Sequence, residues 1–137
     1  MTPSDPESLQ LLRGVHVLLV DDDKETVDLL STILRYSGAL VMNASSARAA
    51  LRSLQTVKPD VVVTDLTMPD EDGYWLLREI RNLTPEQGGT IPVVAITGDT
   101  RDHGTRRVRT AGFNAFLPKP IEPWDLCRTL ASLVDTR

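Results

Sequence analysis

Cysteine is all but missing: Cys127 is the only one among 137 residues, so no internal disulfide can form and a reducing compartment suits the chain. Beside Leu126, Leu130 and Leu133 it reads as a small residue near the core. Histidine is scarce too. His16 and His103 have no second histidine or cysteine at metal-ligand spacing and read as structural or solvated side chains. No apolar run approaches the ~20 residues of a membrane span. The opening residues carry Asp5 and Glu7 where a signal peptide has a basic start and an apolar core. The expectation is a soluble, cytoplasmic protein that does not engage a membrane. Nor does one sign of charge dominate. The net charge is −4 with acids and bases interspersed, so no nucleic-acid footprint is evident. Aromatics make up only 4% of the chain, and Trp75 and Trp124 read as half-buried packing residues.

What the chain does have is four short apolar runs that each lead into polar groups. Val15 to Val20 leads into Asp21-Asp22, Val61 to Thr64 into Asp65, Val93 to Ile96 into Thr97, and Ala115 to Leu117 toward Lys119-Pro120. Runs this short, rich in β-branched or aromatic residues, have the pattern of buried strands. Side chains at the carboxyl ends of neighbouring parallel strands converge on the crevice where open α/β sheets bind ligands. Three acids, a hydroxyl and an amine are thereby predicted to meet at one point. Crowded carboxylates repel unless a cation sits among them, and oxygen-only ligands with a phosphate nearby favour Mg²⁺. In such a pocket one carboxylate can attack phosphorus, while ammonium, hydroxyl and metal stabilise the charge on the equatorial oxygens. An aspartyl phosphate would result.

Between these runs lie helical patterns, and strand and helix alternate five times, which predicts a doubly wound α/β sheet. The spacing of Val27, Leu30 and Leu34 predicts a helix from Lys24 to Tyr36, with Asp23 as its cap and Gly38 at its end. A short strand, Leu40 to Met42, follows. Ser45 or Ser46 caps a helix carrying Ala47, Ala50, Leu51 and Leu54, and Pro59 marks the return to the central strand. A third helix starts near Gly73, and a long loop with Pro85, Gly88 and Gly89 closes it. The fourth, Asp102 to Ala111, contains Gly104 and few apolar residues, so it is expected to be the least stable, with Gly112 as its stop. It also collects Arg101, Arg106, Arg107 and Arg109, a solvated face or a contact for an acidic partner. The fifth helix begins at Pro123 and runs to Val134.

Taken together, the segments His16-Val-Leu-Leu-Val-Asp-Asp-Asp23, Pro59-Asp-Val-Val-Val-Thr-Asp-Leu-Thr-Met-Pro-Asp-Glu-Asp-Gly73, Val94-Ala-Ile-Thr-Gly98 and Ala115-Phe-Leu-Pro-Lys-Pro120 resemble the receiver domain of bacterial two-component response regulators. The resemblance covers Gly14 to Val134 in the family's order and spacing. It implies a flavodoxin-like fold with five parallel strands in the order 2-1-3-4-5 and five helices. It also implies that Asp65 is the phosphoacceptor, that Asp22 binds Mg²⁺ directly and Asp21 through water, and that the Thr67 carbonyl completes the metal site. Thr97 and Lys119 would contact the phosphoryl group, with Thr97 and Phe116 forming the switch toward the surface of helix four, strand five and helix five. Phe116 stands where the family often has tyrosine. The Lys119-Pro120 bond is expected to be cis. Thr67 and Asp99 flank the path of attacking water and are positions that tune phosphate lifetime.

The implied partners are a histidine kinase or histidine phosphotransfer protein upstream and an effector protein downstream, with a homodimer left open. Such a chain is a phosphoacceptor acting on itself rather than an enzyme with its own substrate. Residues 14–137 are read as the receiver and residues 1–13, with Asp5, Pro6, Leu9, Leu11 and Leu12, as a tail, linker or short helix. No separate output domain is expected within this length. The approach through Leu12-Arg13-Gly14 and the long loop after helix three resemble receivers of hybrid kinases. A constitutive interaction module with a degenerate site is the alternative, but it predicts a missing acid, threonine or lysine. A phosphatase with an Asp nucleophile would need a second acid where Thr67 stands, and a flavin-binding protein a hydroxyl-rich loop after strand one.

Overall fold

Residues two apart on a strand face the same side of a sheet, and this alternation divides the core of the protein in two. The computed structural model describes residues 10–99 and 104–134. Among these, five strands, β1 (His16–Val20), β2 (Leu40–Ala44), β3 (Val61–Asp65), β4 (Val93–Thr97) and β5 (Ala115–Pro118), alternate with five helices. The helices are α1 (Lys24–Tyr36), α2 (Ala47–Thr56), α3 (Gly73–Arg81), α4 (Thr105–Ala111) and α5 (Pro123–Val134), and a 3₁₀ turn, Pro85–Gln87, precedes β4. The strands pair in parallel in the order β2-β1-β3-β4-β5. Both the fold and the strand order match the expectation from sequence.

Val17, Leu19, Val61, Val63, Val94 and Ile96 face α1 and α5, where they meet Leu30, Leu34, Leu126 and Leu130. Leu18, Val20, Val62, Val93 and Ala95 face the opposite way, onto Ala50 and Leu54 of α2, Leu76, Leu77 and Ile80 of α3, and Val108 of α4. Sheets covered on both faces read as continuous apolar runs, which is why β1, β3 and β4 were visible in the sequence. The edge strand β2 is longer than expected by two residues. Its exposed Leu40 and Asn43 hide the pattern.

Helix boundaries follow local chemistry. Ser46 caps α2 by accepting from the Ala49 N–H at 3.1 Å, and Asp72 caps α3 by accepting from the Trp75 N–H at 2.8 Å. Asp23 occupies the cap position of α1, but its carboxylate accepts from the Thr26 hydroxyl at 2.7 Å instead of capping the backbone. Gly112 ends α4 in the left-handed region with φ 108°. The start of α4 differs from the expectation: Gly104 is its cap in extended backbone rather than an interior residue, which removes the helix penalty predicted for it. The helix still buries only Val108. In the loop after α3, Thr84 and Gln87 form a reciprocal capping box that holds the 3₁₀ turn. Arg81 donates to the carbonyls of Gly89 and Ile91 at 3.0 and 2.8 Å and to Asn114 Oδ1 at 3.1 Å, joining this loop to the strand β5 approach.

The described residues just before Gly14 join the core. Leu12 is fully buried against the α1 and α5 side, and its N–H donates to the Ser37 carbonyl at 2.9 Å. The expectations placed on Asp5 to Leu9, on Arg101 and Asp102, and on His103 lie outside the described residues. His16 is exposed, Trp75 and Trp124 are half-buried, and Cys127 is buried with its Sγ 3.1 Å from the Ser37 hydroxyl. No helix among the described residues is long and apolar enough to cross a membrane.

Truncating Leu12 to Ala should cost about 3 kcal/mol, the usual cost of emptying a buried leucine site. Leu29, 60% exposed on α1, provides the contrast: its truncation should change stability by no more than ~0.5 kcal/mol. Urea unfolding of both variants checks the pair, and equal losses would show that Leu12 is not part of the core.

Candidate functional site

The carboxyl ends of β1, β3, β4 and β5 bring the five predicted side chains together, at the end of the sheet where such folds bind ligands. Asp65 and Thr97 are the last residues of β3 and β4 rather than the first residues after them, and Asp21 directly follows β1. Asp21, Asp65 and Thr97 are buried, at 0%, 7% and 1% exposure, while Asp22 is exposed. Carboxylate oxygens of Asp21, Asp22 and Asp65 lie within 4.8 Å of one another. Lys119, carried in by the Lys119-Pro120 segment with its expected cis bond, places Nζ between two of them, 3.1 Å from Asp21 Oδ2 and 3.2 Å from Asp65 Oδ2.

Local backbone holds these acids in place. The Asp23 N–H donates to Asp21 Oδ1 at 2.9 Å, and the Thr67 N–H donates to Asp65 Oδ1 at 3.2 Å. Gly73 sits so close to this segment that a Cβ there would lie 2.5 Å from the Asp65 carbonyl oxygen, so only glycine lets α3 start there. Burial pushes the Asp21 carboxyl above its ordinary value, helped by the Asp65 charge and opposed by the Asp23 N–H and Lys119. Burial pulls the Lys119 ammonium down, but Asp65 and Asp21 together outweigh it and hold that group above its ordinary value. Asp23 is held below the usual carboxylate range, chiefly by the Thr26 hydroxyl, and stands outside the cluster.

One ammonium facing three carboxylates leaves the pocket short of positive charge. An all-oxygen donor set with excess negative charge and a partly exposed member suits a hard divalent cation that keeps some water. Asp21, Asp22 and Asp65 therefore fit Mg²⁺.

Thr97 and Phe116 stand on the other strand parity, with Ala95 paired to Phe116 and Thr97 to Pro118. Phe116 is half-buried and packs against the cluster under α2, α3 and α4. The Thr97 oxygen accepts from the Asp99 N–H at 3.1 Å, so Asp99 is tied to the site by its backbone. On α4, Arg106 and Arg109 are exposed, but Arg107 lies over the Tyr74 ring at 4.9 Å, and Tyr74 meets Phe113 edge to face. Sequence reasoning missed two things here: Tyr74 as the seat of α4, and Arg48, which pairs with Glu71 in the loop after β3. Neither carries a local signal, because each partner is distant along the chain.

The family model of the response regulator receiver domain matches residues 17–131. The chain is 38% identical over 120 residues to an uncharacterized 14.6 kDa protein of Leptolyngbya boryana, covering 88% of this chain and 90% of that protein. It is 34% identical over 128 residues to the sensor histidine kinase GacS of Pseudomonas protegens, covering 93% of this chain but only 14% of the kinase. Among solved structures it resembles the receiver domain of sensor histidine kinase PA1611 from Pseudomonas aeruginosa PAO1, with a TM-score of 0.80 at 30% identity. That match covers 89% of this chain and 98% of the other, which was solved with a magnesium ion coordinated in its active site cleft. The chain belongs to the response regulator receiver domain family.

Proposed function

We propose that this receiver takes a phosphoryl group onto Asp65 from the phosphohistidine of a histidine kinase or phosphotransfer protein in the cytoplasm. Mg²⁺ would be held by Asp21, Asp22, Asp65 and the Thr67 carbonyl. The observation that carries this reading is the position of Lys119 Nζ, shared between the buried carboxylates of Asp21 and Asp65 with Asp22 beside them.

Chemically, one Asp65 oxygen attacks phosphorus as the P–N bond of the donor breaks, and the electron pair of that bond stays on the donor imidazole. Lys119 contacts Asp65 in the resting site, so its ammonium moves only a short way to reach a phosphoryl oxygen. The Thr97 oxygen already accepts from Asp99, which leaves its proton to donate to the phosphoryl group. When bound, Mg²⁺ supplies the positive charge that offsets the carboxylates and the equatorial phosphoryl oxygens. No other substrate is implied, since the chain's own side chain is the acceptor.

The new dianion draws Thr97, which shares its sheet face with Phe116. Phe116, which packs half-buried against the core cluster on that face, has no phenolic hydroxyl to anchor it outward, so its ring is biased inward. The response then passes to α4, where exposed Arg106 and Arg109 offer an effector surface.

Incubation with acetyl phosphate and Mg²⁺ should add one phosphoryl group by intact mass, labile to hydroxylamine. EDTA or Asp65→Asn should abolish it. No adduct on the wild type, even from a phosphorylated histidine donor, would instead indicate a constitutive interaction module.

Mg²⁺ should raise the melting temperature by binding the native state, with a smaller rise in Asp65→Asn. Asp21 adds a pH signature. Its folded-state pKa is raised, so its contribution to stability is complete below the ordinary carboxylate value of 3.8 and is lost as pH rises through the higher folded value. At pH 7.5 without metal, Asp21→Asn should therefore melt above the wild type. The gap should close as pH falls toward 4. Thermal scans across pH check this, and a variant that melts lower at every pH would show that the Lys119 pairing outweighs burial.

A further inference from the structure

Asp65 opens a loop, residues 66–72, that ends at the cap of α3. Hydrogen bonds pin both of its ends. At the start, the Thr67 N–H donates to Asp65 Oδ1; at the end, the Gly73 N–H donates to the Leu66 carbonyl at 3.1 Å and the Trp75 N–H to Asp72 Oδ1. Between these ends Asp70 takes a left-handed φ of 67°, a conformation that costs a non-glycine residue energy and so has to be held.

Arg48, on α2 across the gap, reaches both the loop and α3. Its Nε donates to Glu71 Oε1, and its guanidinium carbon lies 5.1 Å from the centre of the Trp75 ring on α3. The Glu71 side chain is only 18% exposed, against 65% for Arg48, so the carboxylate end of the pair is sheltered. We propose that Arg48 is a positioning residue for the phosphoacceptor loop: it fixes Glu71 and Trp75 and thereby sets the segment that presents Thr67 and Asp65 to Mg²⁺ and the phosphoryl group. This rests on the receiver chemistry proposed above.

A half-exposed ion pair adds little to global stability, while the local stability of a loop is set separately from that of the core. The clamp should therefore act on loop order and metal binding and leave the unfolding of the sheet nearly untouched. A planar guanidinium can bond a carboxylate and cover an aromatic face at the same time, which an ammonium cannot do equally well.

The test uses the full chain with Arg48→Met, Arg48→Lys and Glu71→Gln, all with Trp124→Phe so that Trp75 alone emits. In metal-free Arg48→Met, the backbone amides of Thr67, Met68, Asp70, Glu71 and Asp72 should exchange with solvent about 5-fold faster while those of β1 and β3 are unchanged. The Mg²⁺ concentration that half-saturates the Trp75 emission change should rise about 3- to 10-fold. Phosphorylation by acetyl phosphate at saturating Mg²⁺ should recover to within about 2-fold of the Trp124→Phe parent. Arg48→Lys should restore part of the Mg²⁺ affinity, and Glu71→Gln should shift loop exchange in the same direction as Arg48→Met.

Unchanged loop exchange and unchanged Mg²⁺ half-saturation in Arg48→Met would overturn the proposal and leave Arg48 as a solvated pair. Faster exchange across the whole sheet with a lowered melting temperature would overturn it too, by assigning Arg48 a general structural role. A parent protein that neither binds Mg²⁺ nor accepts phosphate would sink the receiver chemistry instead. Loop exchange in the metal-free protein would still report on the clamp itself.

Discussion

Everything at the working end of this sheet depends on one electrostatic imbalance: two buried carboxylates and one exposed carboxylate share a single ammonium. Asp21 and Asp65 are out of water and Lys119 touches both, so the pocket is held together by an attraction that does not neutralise it. An apolar replacement would favour the fold, since buried charge is weak support for stability even when it is paired. In the proposed function the charge sits where it would lower the barrier to phosphoryl transfer, and the surrounding structure absorbs the cost. The strands that carry the acids, β1 and β3, are therefore buried between the two helix layers almost throughout, and the acids sit only at strand ends, where one more residue of chain would place them in solvent.

In the function proposed above, strand alternation places chemistry and signalling on opposite sides of the same sheet. Asp65 has the parity of Val61 and Val63, whose neighbours are α1 and α5. Thr97 has the parity of Val93 and Ala95, whose neighbours are α3 and α4. A phosphoryl group seated over the strand ends, as proposed, would touch both sets of residues. It can therefore carry a change made on one side to helices on the other without disturbing the strands between them. Register makes this arrangement strict, because a one-residue slip of β4 would turn Thr97 toward α5 and uncouple it from Phe116.

Where the chain advertises its structure, the signal is local and strong. The α1 and α5 limits, a serine cap at Ser45 or Ser46, the Gly112 stop and the convergence of the acids with Lys119 could all be read from spacing, because apolar period and capping chemistry act within a few residues. What stayed hidden depends on long-range partners. Leu12 reads as part of a loose tail until the Ser37 carbonyl and the α1 side of the core are in place around it. Arg81 looks like an ordinary charge at a helix end, yet it bonds two carbonyls and Asn114 across the loop. Gly104 was legible as a helix breaker but not as a cap, since only the backbone conformation separates the two roles. Arg48 and Arg107 belong to the same class: each is one arginine among many in the sequence and becomes distinct only when a tryptophan or tyrosine ring lies beneath it.

The same asymmetry bounds how such a receiver can switch. A ligand or modification shifts an equilibrium only by the interactions that differ between the two states. Lys119 is already paired, so its contribution is an exchange of partners rather than a new contact, and the Thr97 oxygen is already committed to Asp99. The remaining differential terms are the Thr97 proton and the packing of Phe116, which amount to a few kcal/mol at most. An increment of that size cannot move α1 or α5, each of which buries several side chains in the core. It is commensurate with α4, seven residues long, anchored by Val108 and by the contact of Arg107 with Tyr74. The helix that buries least among the described residues thus stands beside the proposed switch residues, so a site of modest differential energy is matched to the element held by the fewest buried side chains.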